Sequence, residues 1–122
     1  SHDQATVISC CAEIVKKITS CVIEKGLPAD ICLNVNIPKC NKVCGMKVVR
    51  AAKGYWTEEY AEYTDPHGRP FYWLTGKFHN EEPDNPDTDL YWTDRGYASV
   101  VPCRPDQSAT DKVADINGVL LD

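Results

Sequence analysis

Thr64-Asp65-Pro66-His67-Gly68-Arg69-Pro70-Phe71-Tyr72-Trp73 decides how the middle of this chain folds. A proline at each edge and a glycine between them mark a tight connection. Aromatic segments flank it, Tyr55 to Tyr63 on one side and Phe71 to Phe78 on the other. This order predicts a long β-hairpin with arms over about 55–63 and 71–78. In the first arm, alternation puts Tyr55, Thr57, Glu59, Ala61 and Tyr63 on one face. Trp56, Glu58, Tyr60 and Glu62 share the other. Neither face is cleanly apolar. Mixed aromatic and acidic faces suit a ribbon that projects and packs against another copy.

Working outward, residues 4–25 predict an amphipathic helix. Val7, Cys11, Ile14, Val15, Ile18, Cys21 and Val22 recur at three- and four-residue steps and form its buried stripe. Asp3 is placed to cap it, and Gly26 and Pro28 stop it. Ile31, Leu33, Val35 and Ile37 alternate with Cys32, Asn34 and Asn36, a strand ended by Pro38. The two asparagines read either as amides bonding loop backbone or as groups near a ligand; the first is favoured. A polar loop over 39–45 leads to a short strand, Met46 to Arg50, and 51–54 turn the chain. After an acidic loop over 79–87, Thr88 or Asp89 caps a short helix that ends before Gly96. Tyr97 to Val101 is a strand closed by Pro102. A final segment carries Val113, Ile116 and Leu120 at helical spacing, weakened by Asn117 and Gly118.

The 122 residues suffice for one modest domain, within the ordinary range of about 100–150, and 43% are hydrophobic. No apolar run approaches the ~20 residues of a membrane span, so no membrane partner is expected. The net charge is −5. Polyanionic nucleic acid prefers a basic surface, so no nucleic-acid duplex partner is expected either. A phosphate substrate would need a cation to approach so acidic a surface. Seven cysteines without a paired framework read as reduced thiols of a cytoplasmic protein. Cys40 and Cys44 have metal-ligand spacing. No second pair accompanies them, and His2, His67 and His79 are scattered.

Three constellations could carry chemistry. His67 and Arg69 could grip a phosphate, although turn geometry is the favoured explanation. Asp87 and Asp89 around Thr88 could meet a hard cation, but equally cap the helix that follows. Tyr55, Trp56, Tyr60, Tyr63, Phe71, Tyr72 and Trp73 could stack bases, but with so few basic neighbours they fit a protein interface better.

The hairpin stretch, Leu33-Asn34-Val35-Asn36-Ile37-Pro38, Asp87-Thr88-Asp89 and Arg95-Gly96-Tyr97-Ala98-Ser99-Val100 occur in an order that resembles the C-terminal half of SurE-type survival proteins. The resemblance runs from Ser1 to about Thr110. It implies an α/β fold: a long helix on a small mixed sheet, a projecting hairpin at about 55–78 and a C-terminal segment at about 104–122. The whole chain, 1–122, is then the C-terminal part of a SurE-like domain.

The family implies a 5′/3′-nucleotidase that hydrolyses nucleoside monophosphates with a divalent metal, Mg²⁺ or Mn²⁺. Its catalytic apparatus comprises an Asp-Asp pair, a Ser and an Asn in a Ser-Gly-rich loop, all from the N-terminal half. This sequence contains no Asp-Asp pair and no such loop. No catalytic residue and no metal ligand is therefore carried over. About 130 preceding residues with an Asp-Asp-Gly motif are expected, a length usual for one α/β domain. Thr88 and Asp89 are expected to border the substrate pocket. Tyr60, Tyr63, Arg69, Tyr72 and Trp73 are expected at the interface of a homodimer or homotetramer. The alternative is a non-catalytic assembly domain. A cysteine-based metal or redox module is a third reading.

Overall fold

The computed structural model describes residues 4–121. Asp3, the expected helix cap, and His2 lie outside the described residues. The first helix, α1, spans Gln4–Lys25. Gly26 terminates it with φ +77, a conformation without penalty only for glycine.

Three strands build the main sheet in the order β1-β7-β2, with β1 at Cys32–Asn36, β2 at Met46–Val48 and β7 at Ala98–Cys103. β1 runs antiparallel to β7, and β2 runs parallel to it. This is the expected mixed sheet, with one correction. Pro102 does not close the last strand but lies inside it, opposite Leu33. Ala98 donates its N–H to Gly45 and Val100 accepts from Val49. Residues 98, 100 and 102 therefore turn their backbone groups toward β2. Pairing with β2 ends at Val100, so the N–H that proline lacks has no ladder to complete.

The hairpin forms on a single register but in two ladders. β3 (Gly54–Thr57) pairs with β6 (Lys77–Asn80), and β4 (Tyr60–Thr64) pairs with β5 (Pro70–Leu74). The expected continuous arms are interrupted at 58–59 and 75–76. Glu58 enters the left-handed region at φ +54 and Gly76 sits at φ +144. Thr75 bridges the gap, donating its N–H to Glu59 O and its hydroxyl to Glu58 O, both at 2.8 Å. At the tip, Gly68 N–H reaches Asp65 O and Asp65 N–H reaches Arg69 O, with Gly68 at φ +81. This is a type I turn followed by a glycine bulge, the geometry of a three-residue hairpin loop.

A short helix, α2 (Asp89–Thr93), lies on the sheet beside β7 and β2. It ends in a Schellman motif: Tyr97 N–H returns to Trp92 O and Gly96 N–H to Thr93 O, with Gly96 at φ +85. A 3₁₀ turn, Thr110–Lys112, leads into α3, Val113–Leu120.

The core is small. Ala98, Val100 and Val101 are its buried apolar residues, and Thr88 and Ser99 are buried polar ones. The exposed surface is 9598 Å². A compact monomer of 13.6 kDa exposes about 6,600 Å². The chain thus leaves roughly 3,000 Å² more uncovered than its mass requires. Part of that excess lies on α1, none of whose residues is buried. Of the expected stripe, Val7, Cys11, Ile14, Ile18 and Val22 are half-covered, but Cys21 is exposed and Val15 is 54% exposed. Ile8, Val15 and Ile23 form a second apolar line to solvent. A pattern read from spacing identifies apolar positions, but this helix has two apolar sides and only one is half-covered.

The hairpin base is tight at Gly54. A Cβ there would fall on the His79 carbonyl oxygen and come within 2.5 Å of Phe78 Cζ. Gly54→Ala should therefore lower stability by about 1–3 kcal/mol, the usual cost of overpacking. Amide exchange should quicken at Tyr55 and His79 while the tip around Asp65 keeps its protection. Unchanged exchange at the base would contradict this account.

Candidate functional site

The densest polar structure lies where the hairpin base meets the start of α2. Arg50 forms a parallel bridge with Thr88: its N–H reaches Asp87 O and its carbonyl accepts Asp89 N–H. Its guanidinium grips Glu82 through two bonds of 2.8 and 2.6 Å. Glu82 also accepts the Lys53 N–H at 2.9 Å and the Asn85 side-chain N–H at 3.2 Å. The Arg50 guanidinium first, and the Lys53 N–H second, hold the Glu82 carboxyl down at about 2 from an ordinary 4.5. The same pairing raises Arg50 further above its ordinary value. These bonds strap the acidic loop 81–88 to residues 50–53.

Asp89 begins α2. One carboxylate oxygen accepts the Leu90 N–H at 2.8 Å and the Ala52 N–H at 2.9 Å. It therefore satisfies a free helix N–H and anchors the neighbouring segment at once. Thr88 occupies the N-cap position but makes no side-chain cap bond. Its hydroxyl instead donates to Asn85 O at 2.8 Å. Capping by Thr88 is thus corrected: the threonine is fully buried and holds the preceding turn, while the carboxylate of Asp89 takes the helix N–H.

Asp89 and Leu90 form a wall between two clefts. One, of about 190 Å³, is lined by Asn36, Ile37, Pro38, Asp89, Leu90 and Thr93. The other, of about 400 Å³, adds Ala51, Ala52, Trp56 and Phe78 to the same wall. Trp56 and Phe78 meet edge to face at 5.5 Å. A small cleft of mixed lining and a larger aromatic one thus share a carboxylate. Thr88 lines neither. Asn36 reaches the smaller cleft, and among the described residues neither it nor Asn34 bonds loop backbone, which corrects the favoured reading of that pair. Trp92 fixes the far side by donating to Pro86 O at 2.6 Å, and the Lys47 ammonium lies 4.4 Å from its ring.

The hairpin tip is held internally. Asp65 accepts N–H groups from His67 and Arg69 at 2.9 and 2.8 Å, and its other oxygen takes Arg69 Nε at 3.1 Å. His67 remains exposed. Alternation puts Tyr60 and Tyr72 on one face of the β4–β5 ladder and Tyr63 and Trp73 on the other. All four are exposed, Trp73 at 62%. Tyr63 and Phe71 stack at 5.7 Å. Among the described residues no three His, Cys, Asp or Glu side chains converge as a metal site. The divalent metal that the family resemblance implies does not fit these residues. Cys40 turns to the Pro38 and Lys42 carbonyls, and it has no metal-ligand set with Cys44.

The comparisons agree with the sequence motifs. No family model matches the chain. The 5′-nucleotidase SurE of Christiangramia forsetii is 43% identical over 107 residues, which is 86% of this chain and 41% of that protein. The Aquifex aeolicus 5′-nucleotidase SurE is 40% identical over 101 residues, 79% of this chain and 37% of that protein. The crystal structure of the SurE protein from Aquifex aeolicus superposes with a TM-score of 0.66 at 31% identity, over 90% of this chain and 45% of that one. The chain is similar to these SurE proteins over most of its own length. It spans about two fifths of the length of these relatives and corresponds to their C-terminal part. The SurE-like fold is α/β as expected. No described helix is long and apolar enough to cross a membrane.

Sequence reasoning missed Arg50 and Glu82, which lie 32 residues apart with no periodic or local signal to join them. Their pairing sets a pH test. Glu82 has a folded-state value below its unfolded one, near 4.3. Its contribution to stability is therefore complete above about 4.5 and is lost as pH falls toward about 2. Glu82→Gln should be less stable than the parent at neutral pH, and the gap between their denaturation midpoints should close over that acid range. A gap independent of pH would contradict the pairing.

Proposed function

We propose that this chain is the C-terminal portion of a metal-dependent 5′/3′-nucleotidase that hydrolyses nucleoside monophosphates. The catalytic carboxylates and the Mg²⁺ or Mn²⁺ they hold belong to a part of the polypeptide outside the matched two fifths. The observation that carries this reading is the 43% identity to a 5′-nucleotidase SurE across 86% of the chain. The uncovered apolar side of α1 and the roughly 3,000 Å² of excess surface support it, since a domain divided in two exposes the faces on which its halves meet. In this reading Asp89, between its two clefts, borders the substrate pocket, and buried Thr88 holds the turn that precedes it. The protein works in the cytoplasm, on a small phosphate ester, away from membranes and nucleic-acid duplexes.

A nucleoside-monophosphate assay with added Mg²⁺ or Mn²⁺ tests the proposal. The 122-residue chain alone should give no turnover. A longer polypeptide carrying this sequence behind an Asp-Asp-Gly segment should be active. Turnover by the chain alone that disappears when one of its own residues is changed would overturn the division of labour. So would an inactive longer polypeptide that folds.

A non-catalytic assembly role is the second reading, favoured by one observation. Tyr60, Tyr63, Tyr72 and Trp73 stand exposed on both faces of a two-stranded ribbon, beside Arg69 at its tip. Such a ribbon is marginal alone and gains stability by packing. In either reading the hairpin makes homodimer or homotetramer contacts. Trp73→Ala combined with Tyr60→Ala removes one aromatic from each face without touching the turn. The variant should lose assembly mass in light scattering while its circular dichroism is retained. An unchanged mass would remove the hairpin from the interface.

A further inference from the structure

All seven cysteines are free thiols. Two of them are strand partners: Cys32, the first residue of β1, lies directly opposite Cys103, the last residue of β7. Direct partners in an antiparallel ladder project on the same face. Ala98 and Val100 turn their backbone groups toward β2, so Ser99, Val101 and Cys103 turn theirs toward β1. Cys32 and Cys103 are therefore a hydrogen-bonded pair, with Cα atoms about 5.5 Å apart. A disulfide spans Cα separations of roughly 4.4–6.8 Å. The Cys32 sulfur already lies 3.6 Å from the Cys103 carbonyl oxygen. The Cys103 sulfur is turned to Val101 O at 3.4 Å and needs a side-chain rotation to meet it. Cys32 is exposed and Cys103 half-buried, so an oxidant can reach the pair.

We propose that Cys32 and Cys103 form a reversible disulfide clasp when the protein meets a peroxide. The Cys32 thiolate attacks one peroxide oxygen, the O–O bond breaks, and a sulfenic acid and hydroxide result. The Cys103 sulfur then displaces the hydroxyl group from the Cys32 sulfur as the S–S bond forms. Two thiols and one hydrogen peroxide give one disulfide and two waters: the sulfurs are oxidised and the peroxide oxygens reduced. Cβ atoms of a hydrogen-bonded pair stand about 5.5 Å apart, whereas a disulfide draws them to about 3.5–4.5 Å. The clasp must pull two strand ends together. The resulting strain makes the bond easy for small thiols to reduce, which suits a switch rather than a structural staple. Closed, it ties the end of the loop after α1 to the root of the segment that leads to α3.

The test is hydrogen peroxide treatment of the reduced protein, followed by alkylation under denaturing conditions and mass spectrometry. Alkylatable thiols should fall from seven to five, and the chain should lose two hydrogens. Residues 32 and 103 should appear in one cross-linked peptide, and dithiothreitol should restore all seven thiols. Cys32→Ser and Cys103→Ser should each abolish the change, while Cys44→Ser should leave it intact. Seven persisting thiols, a bond between two copies, a bond through any other cysteine, or oxidation that dithiothreitol cannot reverse would each overturn the clasp.

Discussion

Everything buried in the described chain lies on one strand or beside it. Ala98, Ser99, Val100 and Val101 sit in β7, between an antiparallel and a parallel neighbour, and Thr88 lies at the bridge next to α2. A strand with partners on both edges and elements over its faces loses water from all sides, which is where burial contributes most per residue. The other elements depend on it. Among the described residues β1 and β2 have no other strand partner, and α2 rests against it. Ser99 is the exception within this core: its hydroxyl is buried and makes no hydrogen bond, on the sheet face shared with Asn36 and Lys47.

The hairpin follows a different logic. It is stabilised by its own ladder, its turn and its ring pairs rather than by a core, and its aromatics remain wet on both faces. Asp65 does at the tip what Glu82 does at the base: a carboxylate pairs with one guanidinium and takes two further N–H donors, both from the backbone at Asp65 and one from the backbone and one from the Asn85 amide at Glu82. Exposed single ion pairs contribute little by themselves. These two differ from isolated ion pairs in that each carboxylate also takes main-chain N–H donation and so orders the loop around it. The strap at the base has a further consequence. By holding residues 50–53 against the start of α2, it brings Ala52 to Asp89 and creates the wall between the two clefts.

The sequence by itself determined the local structure. The spacing of α1, the alternation of β1, the turn at Asp65 to Arg69 and the helix after Asp87 follow from periodicity, proline and glycine, whose effects act within a few residues. It also carried the resemblance to SurE proteins, with which it shares 43% identity over 107 residues in one relative. Tertiary structure decided what spacing cannot express. Pro102 could sit within a strand only because β2 stops at Val48, opposite Val100, a fact about a neighbour more than 50 residues away. Cys21 and Val15 shared a stripe with Val7 and Ile18, yet the first two are exposed and the last two half-covered. Thr88 and Asp89 looked interchangeable as caps. The bridge to Arg50 buried the threonine and left the carboxylate at the helix start facing Ala52. Arg50 with Glu82, and Asn36 with Asp89, are encounters between distant segments. Such pairs leave no mark on one sequence, because a side chain's partner is set by where the backbone carries it.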